Sequence, residues 1–228
     1  KILEIEEDTT ALKVLKRSYI RSERYVDLLK AYTKYTRDNS FSHKMMKAKL
    51  VRLAVKKDQL PRIRLKNNIG HLEHLLTNSD DLSAVQTFFL DDNYIKAKAE
   101  LNQIEGLKKH IRDRIKVLTD SEWITNRLIQ LYSILFVFTL LKENNRKRAI
   151  NILEKLIGDR EVQDEETFIN RFISKLSDPQ PKNSIPARKK LAKLYKREGQ
   201  RGKALAQCNE IVSIAPNDLF AKQFKERL

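Results

Sequence analysis

The stretch Ser184–Leu228 reads S-I-P-A-R-K-K-L-A-K-L-Y-K-R-E-G-Q-R-G-K-A-L-A-Q-C-N-E-I-V-S-I-A-P-N-D-L-F-A-K-Q-F-K-E-R-L. Two amphipathic helical patterns flank Gly199, and a third begins after Pro216. Side chains three and four apart on a helix lie one above the other. Leu191, Ala192 and Tyr195 therefore share one face, and Ala204, Cys208 and Ile211 share the next. Gly199 can end the first helix in the left-handed conformation without a Cβ clash. Pro216 has no amide hydrogen to continue the second helix, and Asn217 or Asp218 can cap the third. Small side chains at Ala192 and Ala204 let the two helices approach closely. One such pair cannot bury its own apolar faces, so the rest of the chain is expected to supply stacked neighbours.

These residues resemble a tetratricopeptide repeat, a helical pair of roughly 34 residues with Trp, Leu, Gly, Tyr, then Ala, Phe and Pro at set spacings. Leu191, Ala192, Tyr195, Gly199, Ala204 and Pro216 match in register. Arg188 stands where the family often has Trp, and Cys208 where it has an aromatic. The resemblance implies an all-α fold of antiparallel hairpins stacked as a superhelix or helical-repeat array. It also implies that the first helix of each unit lines a concave groove for partner segments. Lys189, Lys193, Lys196 and Arg197 lie off the packing face and would line that groove. Cations there would hold acidic peptides or carboxylate termini through charge-assisted hydrogen bonds. The Asn that the family's peptide-clamping versions use is missing, so the resemblance does not extend to binding chaperone tails.

Upstream, helical spacing dominates every apolar segment. Asp8 or Thr9 can cap a helix that runs, with a break, to about Arg37, and Phe41–Lys57 reads as a second. After Pro61, Leu65, Ile69, Leu72 and Leu76 keep the period; a short strand at Arg62–Lys66 is the lesser alternative. Leu82–Phe89 makes a short helix. Asp91-Asp92-Asn93 is expected to cap a longer one to about Leu118, whose seven-residue alternation packs inside one chain in preference to forming a homodimer. Thr119–Glu122 caps the most apolar helix, ending near Glu143. Arg146–Ile157 then completes a pair in which Phe136, Val137, Leu140 and Ala149 take the places of Leu191, Ala192, Tyr195 and Ala204. Glu165–Leu176 is a further helix. The expected organisation is an N-terminal helical region (1–118), a degenerate repeat region (119–176), a linker or inter-repeat turn (177–183) and the repeat with its following helix (184–228).

With 228 residues, 41% of them apolar, the chain can build a core. Five Gly and five Pro are few, which favours helices. The longest uncharged run, Leu128–Leu141, is interrupted by Gln130, Ser133 and Thr139. It falls short of the roughly 20 residues a spanning helix needs, so no transmembrane segment is expected. A single cysteine forbids an intramolecular disulfide and suits a reducing compartment. The chain begins at Lys1 and not at Met, so the native N-terminus is expected to be missing. Export therefore stays open beside the favoured cytoplasm.

Enzymatic signatures are lacking. The glycines at 70, 106, 158, 199 and 202 form no phosphate-cradling loop. His71 and His74 sit one turn apart without further ligands at metal spacing, so no metal and no cofactor is expected. Cys208 lies on an apolar face as a small hydrophobe. What remains is charge. Lys44–Lys66 and Lys182–Lys203 each carry nine bases against one acid, and together they equal the formal net charge of +16. The expected function is therefore a non-enzymatic scaffold or adaptor that holds an acidic protein or peptide on a basic helical-repeat surface. The alternative is a helical nucleic-acid-binding protein, with Lys47, Arg52, Lys56, Arg62 and Arg64 as phosphate contacts and Tyr32 and Tyr35 near enough to stack on bases.

Overall fold

The computed structural model describes residues 16–35, 40–78, 82–119, 125–158, 169, 172, 173, 176 and 181–228. The fold is all-α, as the periodicity predicts, with no strand among the described residues. Two compact units divide between Gln103 and Ile104. The sequence placed its first boundary after Leu118. The difference arises because left-handed residues at Asn102 and Gly106 break the expected long helix, and residues 107–119 pack with the helix that follows them.

The first unit contains α1 (Tyr25–Tyr35), α2 (Phe41–Lys56), α3 (Arg62–Thr77) and α4 (Ala84–Glu100), preceded by a helical segment at 16–21. Its organiser is α2, which packs against the other three. Leu50 and Ala54 meet Tyr25, Leu28 and Tyr32 of α1. Met45 and Ala48 meet Leu72 and Leu90, while Val55 meets Leu65, Ile69 and Ala97. A helix covered on several sides carries apolar residues on several faces, which is why α2 shows no single stripe. Tyr32 is thus a core residue, not a surface for stacking bases, and the Tyr35 side chain lies outside the described residues.

Helix starts follow local chemistry. Ser40 Oγ accepts from His43 N–H (3.4 Å) at the head of α2. At the head of α4, Ser83 Oγ accepts from Gln86 N–H (3.3 Å) and Gln86 Oε1 accepts from Ser83 N–H (2.9 Å), a capping box. That box overrides the start expected at Asp91-Asp92-Asn93. Asp91 and Asn93 are carried into the helix interior and buried, and Asn93 Nδ2 donates to Phe89 O (2.9 Å). The head of α1 is capped from a distance: Gln59 Oε1 accepts from Tyr25 N–H (3.1 Å), and Gln59 Nε2 donates to Glu23 O (2.6 Å).

Five helix ends share one device. Glu23, Asp58, Asn102, Asn144 and Gly199 all have φ between 55° and 73°. In each case the next residue donates to the carbonyl five positions back, as Gln59 does to Ala54, Asn145 to Leu140 and Gln200 to Tyr195 (2.8–2.9 Å). This is the Schellman closure.

The second unit contains α5 (Leu107–Thr119), α6 (Asn126–Lys142), α7 (Arg146–Leu156), α8 (Pro181–Arg197), α9 (Arg201–Ile214) and α10 (Leu219–Lys225). Residues 177–180 of the expected linker lie outside the described residues, but from Pro181 onward that stretch is helix. Pro181 is tolerated because the first-turn amide it lacks would be unpaired anyway, and α8 continues through Pro186. Of the expected helix 165–176, Ile169, Phe172 and Ile173 are described; all three are helical and buried. The acidic stretch 159–166 lies outside the described residues.

Adjacent helices pack as pairs: α6 on α7, α8 on α9, and α8 in turn on α7 and α6. The two pairs turn alike. Glu143-Asn144-Asn145-Arg146 and Glu198-Gly199-Gln200-Arg201 each place a left-handed second residue before an N-cap with φ −86°. Phe136, Val137, Leu140 and Ala149 are buried, as are Leu191, Ala192, Tyr195 and Ala204. Between the pairs, Tyr195 OH donates to Glu154 Oε1 (2.7 Å), and Arg146 Nη1 meets Glu198 Oε1 at 3.2 Å.

Three substitutions check this packing. Tyr195→Ala should destabilise the protein by about 3 kcal/mol, and Ala204→Leu by about 1–3 kcal/mol through overpacking, both read from chemical denaturation. A Cβ at Gly199 would meet nothing within 4 Å. Gly199→Ala should therefore cost about 1 kcal/mol, through its backbone conformation alone.

Candidate functional site

The site grows from the polar side of α8. Its inner side is spent on packing, with Ala187, Leu191, Ala192, Leu194 and Tyr195 buried. Arg188 is a clip between α8 and α9: its Nη1 donates to Gln207 Oε1 (2.8 Å) and its Nε to Ser184 Oγ (3.2 Å). Gln207 and Ser184 are themselves buried, so these bonds place the guanidinium against two polar groups inside the helix pair.

Lys189, Lys193 and Lys196 follow at helical spacing, and their ammonium groups converge on one short helix. Lys189 Nζ meets Asp218 Oδ2 at 2.5 Å. Lys189 and Lys193 lie 5.4 and 5.1 Å from the centroid of Phe220, and Lys196 lies 5.3 Å from that of Phe224. The two rings are stacked, 5.0 Å apart with an interplanar angle of 21°. Lys196 Nζ also donates to Arg227 O. Asp218 caps α10 through Ala221 N–H (3.0 Å), and Lys225 Nζ donates to Asn209 Oδ1 (3.0 Å) from the flank of α9. Three of the four residues predicted to line a partner groove are thus gathered on the chain's own α10. Arg197, the fourth, is exposed at the end of α8.

The electrostatics fit this geometry. A cation over an aromatic face gains about 0.5–1 kcal/mol where solvent is near. Burial alone would raise the Asp218 carboxyl, but hydrogen bonds from Lys189 and from the Ala221 amide hold it below the usual carboxylate range. Cys208 behaves as expected of a small hydrophobe: it is fully buried, and burial pushes its thiol up against the opposing pull of Lys225. His71 and His74 are exposed, and among the described residues no three His, Cys, Asp or Glu gather to hold a metal ion.

The members of the alternative basic patch differ in exposure. Arg52 is turned inward, its side chain 12% exposed and its Nη1 3.8 Å from Glu100 Oε1. Burial lowers its pKa, opposed by Asp92 and Glu100. Lys56 shares the same carboxylate at 3.6 Å, and Lys47 is half-buried. Arg62 and Arg64 stand exposed on the first turn of α3 around an exposed Ile63. The inward turn of Arg52 has a simple cause: α2 packs on α4, and α4 supplies the acid.

Phe220, Phe224 and the ion-pairing role of Asp218 were not among the sequence candidates. Their signal was present as an i, i+4 aromatic pair following a capping Asp, and it gains meaning only opposite the lysine stripe. Because the folded Asp218 carboxyl sits low, its contribution to holding α10 is complete above about pH 4, the ordinary Asp value. It is lost as the pH falls through the lower folded value. Hydrogen-exchange protection of the Ala221 amide should fall on acidification, and Asp218→Asn should remove that acid dependence.

Compared with family models, curated proteins and solved structures, the chain matches none.

Proposed function

We propose that this chain is a non-enzymatic scaffold or adaptor, a helical-repeat protein of tetratricopeptide type whose basic α8 face holds an acidic protein segment. The observation that carries the reading is the grip of Lys189 on Asp218 at 2.5 Å. Here the face binds a carboxylate in the manner expected for a partner's acid, at the head of a helix. The six matching positions from Leu191 to Pro216 and the like turns at Asn144 and Gly199 support the repeat assignment. The scaffold needs no cofactor.

The nucleic-acid alternative loses ground on one residue. With Arg52 committed to the interior, the basic run of the first unit offers fewer cations for the phosphate contacts that dominate such affinity.

The test is capture of partners by the full chain, with and without nuclease. Capture should survive nuclease and be lost in Lys193→Glu/Arg197→Glu, two exposed positions whose reversal leaves the core intact. It should persist when Lys47, Lys56, Arg62 and Arg64 are neutralised. Release by nuclease, or loss in the second variant alone, would overturn the adaptor.

A further inference from the structure

The face described above is already occupied, and its occupant specifies what it recognises. The α10 segment presents five features in register: Asp218 as the N-cap, Phe220 two residues on, Ala221 next, Phe224 one turn later, and the carbonyl of Arg227 just past its end. Each has a counterpart. Lys189 takes the carboxylate, Lys189 and Lys193 cover the first ring, Lys196 covers the second and takes the carbonyl, and α9 packs along the buried Ala221 side.

The occupant is lightly held. Ala221 is the only fully buried residue of α10, and Leu219 is 69% exposed. Two turns of helix fall below the length at which a helix is stable by itself, so α10 depends on its dock. Pro216 and Asn217, which connect it to α9, are exposed, and one turn bond closes them, Asp218 N–H to Ala215 O (3.0 Å).

We infer that the Lys189/Lys193/Lys196 face is a recognition site for a helix that begins acid-x-aromatic-small-x-x-aromatic, and that α10 fills it in cis until a partner helix of that pattern replaces it. The inference rests on the adaptor reading and narrows its partner from an acidic segment to an acid-capped helix with paired aromatics. A partner helix longer than α10 keeps the same anchors and adds contacts beyond Phe224. Its apparent affinity is reduced by the fraction of chains in which α10 is docked, so loosening α10 must strengthen binding in trans.

The probe is a fluorescein-labelled peptide of residues 216–228, titrated by anisotropy against the full chain. Wild type should bind it weakly. Phe220→Ala/Phe224→Ala, which removes the rings from the cis segment alone, should bind it at least about tenfold more tightly. Adding Lys193→Glu and Lys196→Glu to that variant should remove the gain. Asp218→Lys opens the same dock by repelling Lys189 and should also tighten binding, which keeps the test decisive if the double alanine variant unfolds. Equal affinity in wild type and both opened variants would overturn the inference, as would binding indifferent to the two glutamates. So would a wild-type dimer by sedimentation that dissociates in Asp218→Lys, because the occupant would then be the α10 of a second copy. Nuclease-resistant partner capture alongside failure of the peptide would sink this inference and leave the adaptor standing. Absence of any such capture would sink the adaptor itself.

Discussion

A single backbone hydrogen bond, from the residue after a left-handed position to the carbonyl five residues back, sets the geometry of most of this protein. It recurs after Glu23, Asp58, Asn102, Asn144 and Gly199. Four of those five positions carry a side chain, although the left-handed region disfavours any residue with a Cβ by roughly 1 kcal/mol or more. The bond satisfies carbonyls that every helix end leaves open, and it reverses the chain tightly enough for the next helix to return along the last. At Asn144 and Gly199 the closures are alike, so the two pairs of the second unit present equivalent ends, and Arg146 reaches Glu198.

Tight reversals decide which charges stay in water. In the first unit, α2 lies against α4, so Arg52 and Lys56 share Glu100 while Lys96 takes Asp92. Lys57 takes Glu23 from the turn that leads into α1. A count of bases along the chain therefore overstates the cationic surface. In the second unit, aromatic rings stand beside the lysines of α8 as well as an acid. The negative face of a phenyl ring accepts an ammonium without neutralising it, so the α8 stripe keeps its charge while covering Phe220 and Phe224. Between α8 and α9, Arg188 applies the same economy, its guanidinium fork held by Gln207 and Ser184.

How much of this was legible in the sequence depends on the range of the interaction involved. Periodicity placed α2, α6, α7 and α9 and the core positions Leu191, Ala192, Tyr195 and Ala204, because burial of one face repeats every three to four residues. It misplaced the start of α4, where two competing caps stood close together and the reciprocal pair Ser83/Gln86 prevailed over Asp91-Asp92-Asn93. Glycine marked the turn at Gly199. At Asp58 the signal was weaker, since Asp adopts the left-handed region more readily than most residues but far less than Gly, and nothing local marked Glu23.

The sequence by itself determined the helical class, the repeat-like pair after Ser184, and the lysine stripe on its polar side, since each rests on local spacing and side-chain chemistry. Tertiary structure alone decided what those lysines meet and which bases are withdrawn. Which aromatic rings stand over Lys189, Lys193 and Lys196 depends on where α10 returns after Pro216. Whether Arg52 stands in solvent or turns inward depends on where α4 brings Glu100. Both are contacts between residues far apart in the chain, and helical period carries no information about which helix stands opposite.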